Sequence, residues 1–249
     1  MKSSFLKGLR FAILGQMSLA VAFMSYANQQ LPPQATEYYA PVPVKISTDP
    51  VPSDAIVLFD GNSTDAWEHH DGSAVKWTVE DGAMTVKPGS KGIRSKASFC
   101  DAQIHIEWRT PAEDATKKGQ NDSNSGLFIM GRYEIQILNN YDNDTYVNGQ
   151  AGSIYKQYPP LVNASKPRME WQTYDIIFAA PRFDKNGMVT KKATMTALHN
   201  GVLVQNHSEL QGSTTYKGLP QYKAHGCAPI HLQDHGSKVS FRNIWVREL

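Results

Sequence analysis

Cysteine is scarce in this 249-residue chain: Cys100 and Cys227 are the only two, and they stand far apart. That excludes a Cys-x-x-Cys redox motif and a cysteine-based zinc ribbon. Long apolar runs are scarce too. The one clear run, Phe11 to Met24, is interrupted by Gln16 and Ser18 and is too short to cross ~30 Å of hydrocarbon. No window sustains an apolar stripe at helical spacing, and there is no phosphate loop, dinucleotide glycine fingerprint or Gly-x-Ser-x-Gly elbow. Nucleotide chemistry and the common serine hydrolases therefore drop out.

What is present begins with an export pattern. Lys2, Lys7 and Arg10 precede the apolar run, and the small residues Ser25 and Ala27 follow it at the spacing of a cleavage site. This predicts a signal peptide over residues 1–27, cut after Ala27, and a periplasmic or secreted mature chain with no membrane span. No cysteine follows the run to carry a lipid. Cleavage changes the count from 25 cationic and 23 anionic side chains to 22 and 23, a formal balance of −1, so no basic footprint for nucleic acid remains. In an oxidising compartment the two cysteines form one bridge or remain separate buried thiols, and spacing leaves both open. Oligomeric state is left open as well.

Residues 28–55 carry six prolines (Pro32, Pro33, Pro41, Pro43, Pro50 and Pro52), which remove backbone donors and favour an extended, non-sheet arm. Tyr38, Tyr39, Val42, Val44 and Ile46 give that arm enough apolar surface to lie along a domain. From Ile56 to Leu249, short β-branched and aromatic runs alternate with Gly, Asn, Asp and Pro. Eleven strands are expected, at 56–59, 75–79, 83–87, 103–110, 126–130, 133–138, 173–178, 193–198, 202–205, 229–233 and 239–247. The class is all-β, a single sandwich or barrel. Asp81-Gly82 and Asn200-Gly201 are expected to close tight hairpins, because both residue types tolerate positive φ.

Two strands state their faces. Ile104, Ile106 and Trp108 alternate with His105, Glu107 and Arg109; Tyr133, Ile135 and Ile137 alternate with Glu134, Gln136 and Leu138. The polar faces either meet solvent, as one side of an antiparallel sheet commonly does, or line a site. Two stretches poor in strand signal, 111–125 and 139–171, are long enough to be walls of such a site. The densest polar constellation is His231-Leu-Gln-Asp-His-Gly, where a strand runs into a turn. Its imidazoles and carboxylate suit a general base, a metal-ligand set or a hydrogen-bonded turn.

Further blocks stand in order along the chain: Ala55-Ile-Val-Leu-Phe-Asp-Gly-Asn, Trp77-Thr-Val-Glu-Asp-Gly, Ile106-Glu-Trp-Arg, Asn124-Ser-Gly-Leu-Phe-Ile, Tyr133-Glu-Ile-Gln-Ile-Leu, Ala151-Gly-Ser-Ile-Tyr, Glu170-Trp-Gln-Thr-Tyr and Leu198-His-Asn-Gly. With His231-Leu-Gln-Asp-His-Gly and Phe241-Arg-Asn-Ile-Trp-Val, they resemble the 3-keto-disaccharide hydrolase domain from about Ile56 to Leu249. The resemblance implies a concanavalin-like jelly-roll sandwich of two curved antiparallel sheets, a carbohydrate partner on the concave face, and cleavage of glycosides oxidised at sugar carbon 3. For that chemistry His235 is the expected base or cation ligand and His231 its support, with Glu134 also catalytic. Arg109, or a divalent cation held by Glu107, Glu134 and Asp234, is the expected electrophile. Gln136, Gln233 and Asn124 are the expected hydroxyl-binding residues. The family usually has Asp where this chain has Asn139, which touches activity if that position carries charge. The competing reading is a non-catalytic carbohydrate-binding module on the same face.

Overall fold

Alternation builds the layers. In the computed structural model, which describes residues 32–37, 40–112 and 116–249, Ile104, Ile106 and Trp108 are buried while His105, Glu107 and Arg109 between them stay partly exposed. Their strand lies at the middle of an antiparallel sheet whose spatial order is β13 (Val202–Glu209), β12 (Thr194–His199), β9 (Gln172–Ala179), β6 (Ala102–Arg109), β15 (Ser240–Glu248), β4 (Ala83–Thr85) and β3 (Thr78–Glu80). β1 (Ile56–Phe59) also pairs with β15. A second antiparallel sheet has the order β2 (Trp67–His69), β5 (Ile93–Phe99), β14 (Ala228–Leu232), β7 (Ser125–Ile129) and β8 (Tyr133–Ile137). A short ribbon, β10 (Arg182–Phe183) with β11 (Val189–Lys191), stands apart from both.

The inner faces share one apolar core. Ile104, Ile106, Trp108, Tyr174 and Phe178 from the larger sheet belong to the same buried cluster as Leu127, Tyr133, Ile135 and Ile230 from the smaller. Each such side chain contributes about 1.5–3 kcal/mol on leaving water. The fold is a β-sandwich jelly roll, and helix among the described residues is limited to three short 3-10 turns.

Both expected hairpin links form. Glu80 pairs with Ala83 across Asp81 (φ 51°) and Gly82 (φ 72°), and His199 pairs with Val202 across Asn200 (φ 53°) and Gly201 (φ 77°). Two paired strands of the smaller sheet, β2 and β5, were not expected. The reason in β5 is local: Ile93-Arg-Ser-Lys-Ala-Ser-Phe alternates poorly, yet Ser95 is buried because its hydroxyl donates to the Ala97 carbonyl and accepts the Ile230 N–H. The expected strand at 75–79 forms only toward its end, as β3, which runs on to Glu80.

The described residues up to Lys45 do not belong to the unit Ile46–Leu249. Val42 and Val44 among them are exposed, and no strand forms there among the described residues. The expected signal peptide, with Tyr38 and Tyr39, lies outside the described residues.

Cys100 and Cys227 are bridged, across 127 residues of sequence, next to the β5–β14 partners Phe99 and Ala228. A bridge closing so long a loop restricts the unfolded chain strongly. Replacing both cysteines by alanine should lower the unfolding free energy by about 2–5 kcal/mol in denaturant titrations; equal stability of the two proteins would contradict this.

Candidate active site

β8 has its polar residues on the face away from the core, as its alternation predicts, but that face is not wet. Every residue of β8 is buried, Glu134 and Gln136 included. Three loops fold over it: the segment at Gln120–Asn124, the segment from Tyr146 to Tyr155, and Thr214–Tyr216. Between them lies a cleft of about 520 Å³ with Glu134, Gln136, Phe128, Gln233 and His235 in its lining. The third loop is tied to the strand, since the Glu134 N–H donates to Thr214 Oγ1 (3.2 Å) and the Thr214 N–H donates to the Arg132 carbonyl (3.0 Å).

Glu134 is the electrostatic centre. It is 6 % exposed, no cation pairs with it among the described residues, and burial pushes its carboxyl from an ordinary 4.5 up to about 8. The place it occupies exists because residue 126 is glycine: a Cβ there would stand 2.3 Å from Glu134 Oε1 and 3.0 Å from the Phe128 ring. Beside it, the Tyr146 and Tyr155 hydroxyls are 2.7 Å apart. Burial and the hydrogen bond shared with Tyr146 hold the Tyr155 phenol above its usual value, and Glu134 adds to this once it is ionised. One of the two hydroxyls donates to the other, which leaves one hydrogen for a ligand.

Five expected site residues therefore meet in this cleft: Glu134, Gln136, Asn124, Gln233 and His235. Four do not. Glu107 and Arg109 sit on β6, in the other sheet, facing away from the core they share with β8. Alternation told which face they occupy but not which sheet. Glu107 accepts hydrogen bonds from Arg242 Nε (2.7 Å) and Asn243 Nδ2 (2.9 Å). Burial alone would raise its carboxyl, but these bonds hold it below the usual range. Arg109 lies over the Trp171 ring at 4.6 Å, alongside Arg242 at 4.1 Å.

Asp234 is absent from the cleft lining and makes the hydrogen-bonded turn, accepting from the Gly236 N–H (2.9 Å) and the Lys91 N–H (3.0 Å). The expected cation set of Glu107, Glu134 and Asp234 is thus not assembled, and no group of three or more His, Cys, Asp or Glu side chains suited to a metal occurs among the described residues. His231 shares the outer face of the smaller sheet with Glu134, but Phe128 stands between them in register. Its ring stacks on Phe128, and its Nε2 lies 3.4 Å from that of His70. Burial, and then the neighbouring His70, push it down to about 4, so it is neutral at physiological pH.

Asn139 is not in the cleft lining either. It is buried, with Nδ2 donating to Asp122 Oδ2 (2.9 Å) and Asp142 Oδ1 (2.7 Å), while Arg168 binds Asp122. An amide is needed there, because a carboxylate would lose both donated bonds and add a third negative charge around one guanidinium.

Sequence reading missed Tyr146, Tyr155, Thr214 and Tyr216 as individuals. The first two lie inside an expected wall. The last two lie in a connection of more than fifteen residues between the expected strands at 202–205 and 229–233, so loop length carried the signal.

A family model described as the 3-keto-alpha-glucoside-1,2-lyase-like domain matches residues 54–247. The chain belongs to that family. A protein of Bacteroides thetaiotaomicron named 3-keto-disaccharide hydrolase is 25 % identical over 242 residues, covering 80 % of each chain. A solved structure from Parabacteroides distasonis, provisionally named a glycosyl hydrolase, is 46 % identical with a TM-score of 0.85, over 88 % of this chain and 97 % of that one. A second from the same organism, with the same provisional name, is 21 % identical with a TM-score of 0.58, over 78 % and 94 %, and supports the fold.

In this member of the lyase-like family the lone carboxyl has a stability signature. The folded protein keeps a proton on Glu134 up to about pH 8, whereas the unfolded chain releases it near its ordinary 4.5. Stability associated with the neutral carboxyl is present below pH 4.5 and falls between 4.5 and 8. Glu134→Gln, neutral throughout, should match wild type in unfolding free energy near pH 4 and exceed it by several kcal/mol at pH 9; a pH-independent difference would contradict the shifted carboxyl.

Proposed function

We propose that this protein is an exported glycoside-cleaving enzyme that acts on 3-keto-glycosides in the β8 cleft, and that Glu134 is its general acid. The observation carrying the proposal is a buried carboxyl with no counter-ion among the described residues, on the floor of a cleft with an imidazole and a tyrosine pair in its walls; burial pushes that carboxyl up to about 8, so it keeps its proton at neutral pH. Family membership and the names of the relatives support the substrate class. The Cys100–Cys227 bridge supports export into an oxidising compartment, with residues 1–27 removed and 56–249 working as one domain.

A ketone at carbon 3 acidifies the proton on carbon 2. His235 takes that proton, and the electron pair moves into the ketone to give an enolate, whose oxygen accepts the free hydrogen of the Tyr146–Tyr155 pair. The enolate then expels the oxygen on carbon 1. Glu134 gives that oxygen its proton, so the aglycone leaves as a neutral alcohol and a double bond remains between carbons 1 and 2. Water adds at carbon 1 and gives its proton to the Glu134 carboxylate, and His235 returns its proton to carbon 2, which restores both groups and completes a net hydrolysis.

An acid must be protonated to act, so kcat/KM on a chromogenic 3-keto-glucoside should fall as pH rises through about 8. Glu134→Gln should lose about 10²- to 10⁴-fold in rate and also lose that limb, and His235→Gln should lose a similar factor while keeping it. Activity rising through pH 8 would reverse the role of Glu134. Binding of unoxidised glycans with no turnover of any keto-sugar would replace the enzyme by a binding module.

A further inference from the structure

A chain of side-chain amides ends at the floor of the cleft, and its orientation is fixed at one end by a group that can only accept. The Gly149 carbonyl receives the Gln120 amide nitrogen at 2.8 Å. Gln120 must therefore turn its NH2 toward Gly149, where it also meets Thr145 Oγ1 at 2.9 Å. Its Oε1 then points at Gln136, which must answer with its own NH2, at 2.9 Å. The Gln136 nitrogen also reaches the Gly149 carbonyl at 3.4 Å. Turning either amide over would set oxygen against the Gly149 carbonyl, so the usual ambiguity of glutamine side chains is resolved here.

The consequence falls on the far atom. Gln136 Oε1 is buried, in a residue only 1 % exposed, and no donor among the described residues reaches it. Buried acceptors are nearly always satisfied, and one left without a donor is costly. Gln136 lines the cleft two residues from Glu134 on the same strand face.

We propose that Gln136 is a locked acceptor that reads one donating hydroxyl of the sugar bound beside Glu134, and that Gln120 is the positioning residue that locks it. This rests on the cleft being the sugar site. It adds a selection rule: because a ketone oxygen cannot donate, Gln136 cannot hold the oxidised carbon 3 and must face a hydroxyl at another position. Sugars in which that hydroxyl is removed or replaced by fluorine, which accepts but does not donate, are discriminated against. Without Gln120 the amide can turn over, and the discrimination weakens.

The test uses the 2-deoxy, 4-deoxy, 6-deoxy, 4-fluoro and 6-fluoro analogues of methyl glucoside, which keep carbon 3 unoxidised, with Kd measured by calorimetry on the full mature protein. Wild type should bind one position's analogues about 10- to 100-fold more weakly than the parent. Gln136→Met should bind the parent more weakly but lose the difference between parent and that analogue. Gln120→Met, which leaves Gln136 in place, should reduce the difference to a few-fold in a protein that circular dichroism shows still folded. Analogues all within about 3-fold of the parent in wild type, or a discrimination that survives in Gln136→Met, would overturn the proposal. Turnover of the 3-keto-glucoside by wild type is scored separately, so failure of the hydroxyl-reading rule and failure of the catalytic reading give different results.

Discussion

A carboxyl with no counter-ion can be buried in the folded state only if it keeps its proton, and around this constraint the cleft is organised. Glu134 is buried on a strand face that would ordinarily be wet, because three loops cover it and because Gly126 leaves room for its oxygens. The cost of burying the carboxyl is met by holding it neutral up to about pH 8. A neutral carboxylic acid is a proton donor, so in the proposed reaction the desolvation that opposes stability would be what equips the site for acid chemistry. In that reaction the same exclusion of water would strengthen the neighbouring tyrosine pair as a donor to developing negative charge.

The two sheets divide the labour. The larger sheet carries its polar face as a self-satisfied network: His105 Nδ1 meets Asp175 Oδ1 at 2.6 Å, Asn243 bridges His105 and Glu107, and Arg242 closes on Glu107. These five groups satisfy one another, which suits a structural surface. The smaller sheet keeps unsatisfied groups under its loops, Gln136 Oε1 and Gln233 Oε1 among them, which suits a surface that waits for a ligand.

Much of this was legible in the chain. The period-two alternation of β6 and β8 gave the correct faces, and the Asp81-Gly82 and Asn200-Gly201 turns closed as their chemistry requires. Glu134, Gln136, Asn124, Gln233 and His235 stand out in the chain as polar residues on a strand face or at a strand end, and all five line one cleft. What alternation cannot carry is sheet membership. Ile106-Glu-Trp-Arg and Tyr133-Glu-Ile-Gln read alike locally, yet one belongs to each sheet, so Glu107 and Arg109 were drawn into a site they do not share. Nor can composition show what folds over a strand. The burial of Glu134, and the loop at Thr214–Tyr216 that contributes to it, depend on contacts roughly eighty residues apart, such as the Glu134–Thr214 hydrogen bond.

The protonation state of Glu134 decides the account most directly, and it is observable without any substrate. A protonated carboxyl has an infrared C=O stretch that its carboxylate lacks, so difference spectra of wild type against Glu134→Gln should isolate one carboxyl band at pH 6. That band should give way to a carboxylate band with a midpoint near pH 8. A carboxyl already ionised at pH 6, titrating in the ordinary range around 4.5, would contradict the central claim.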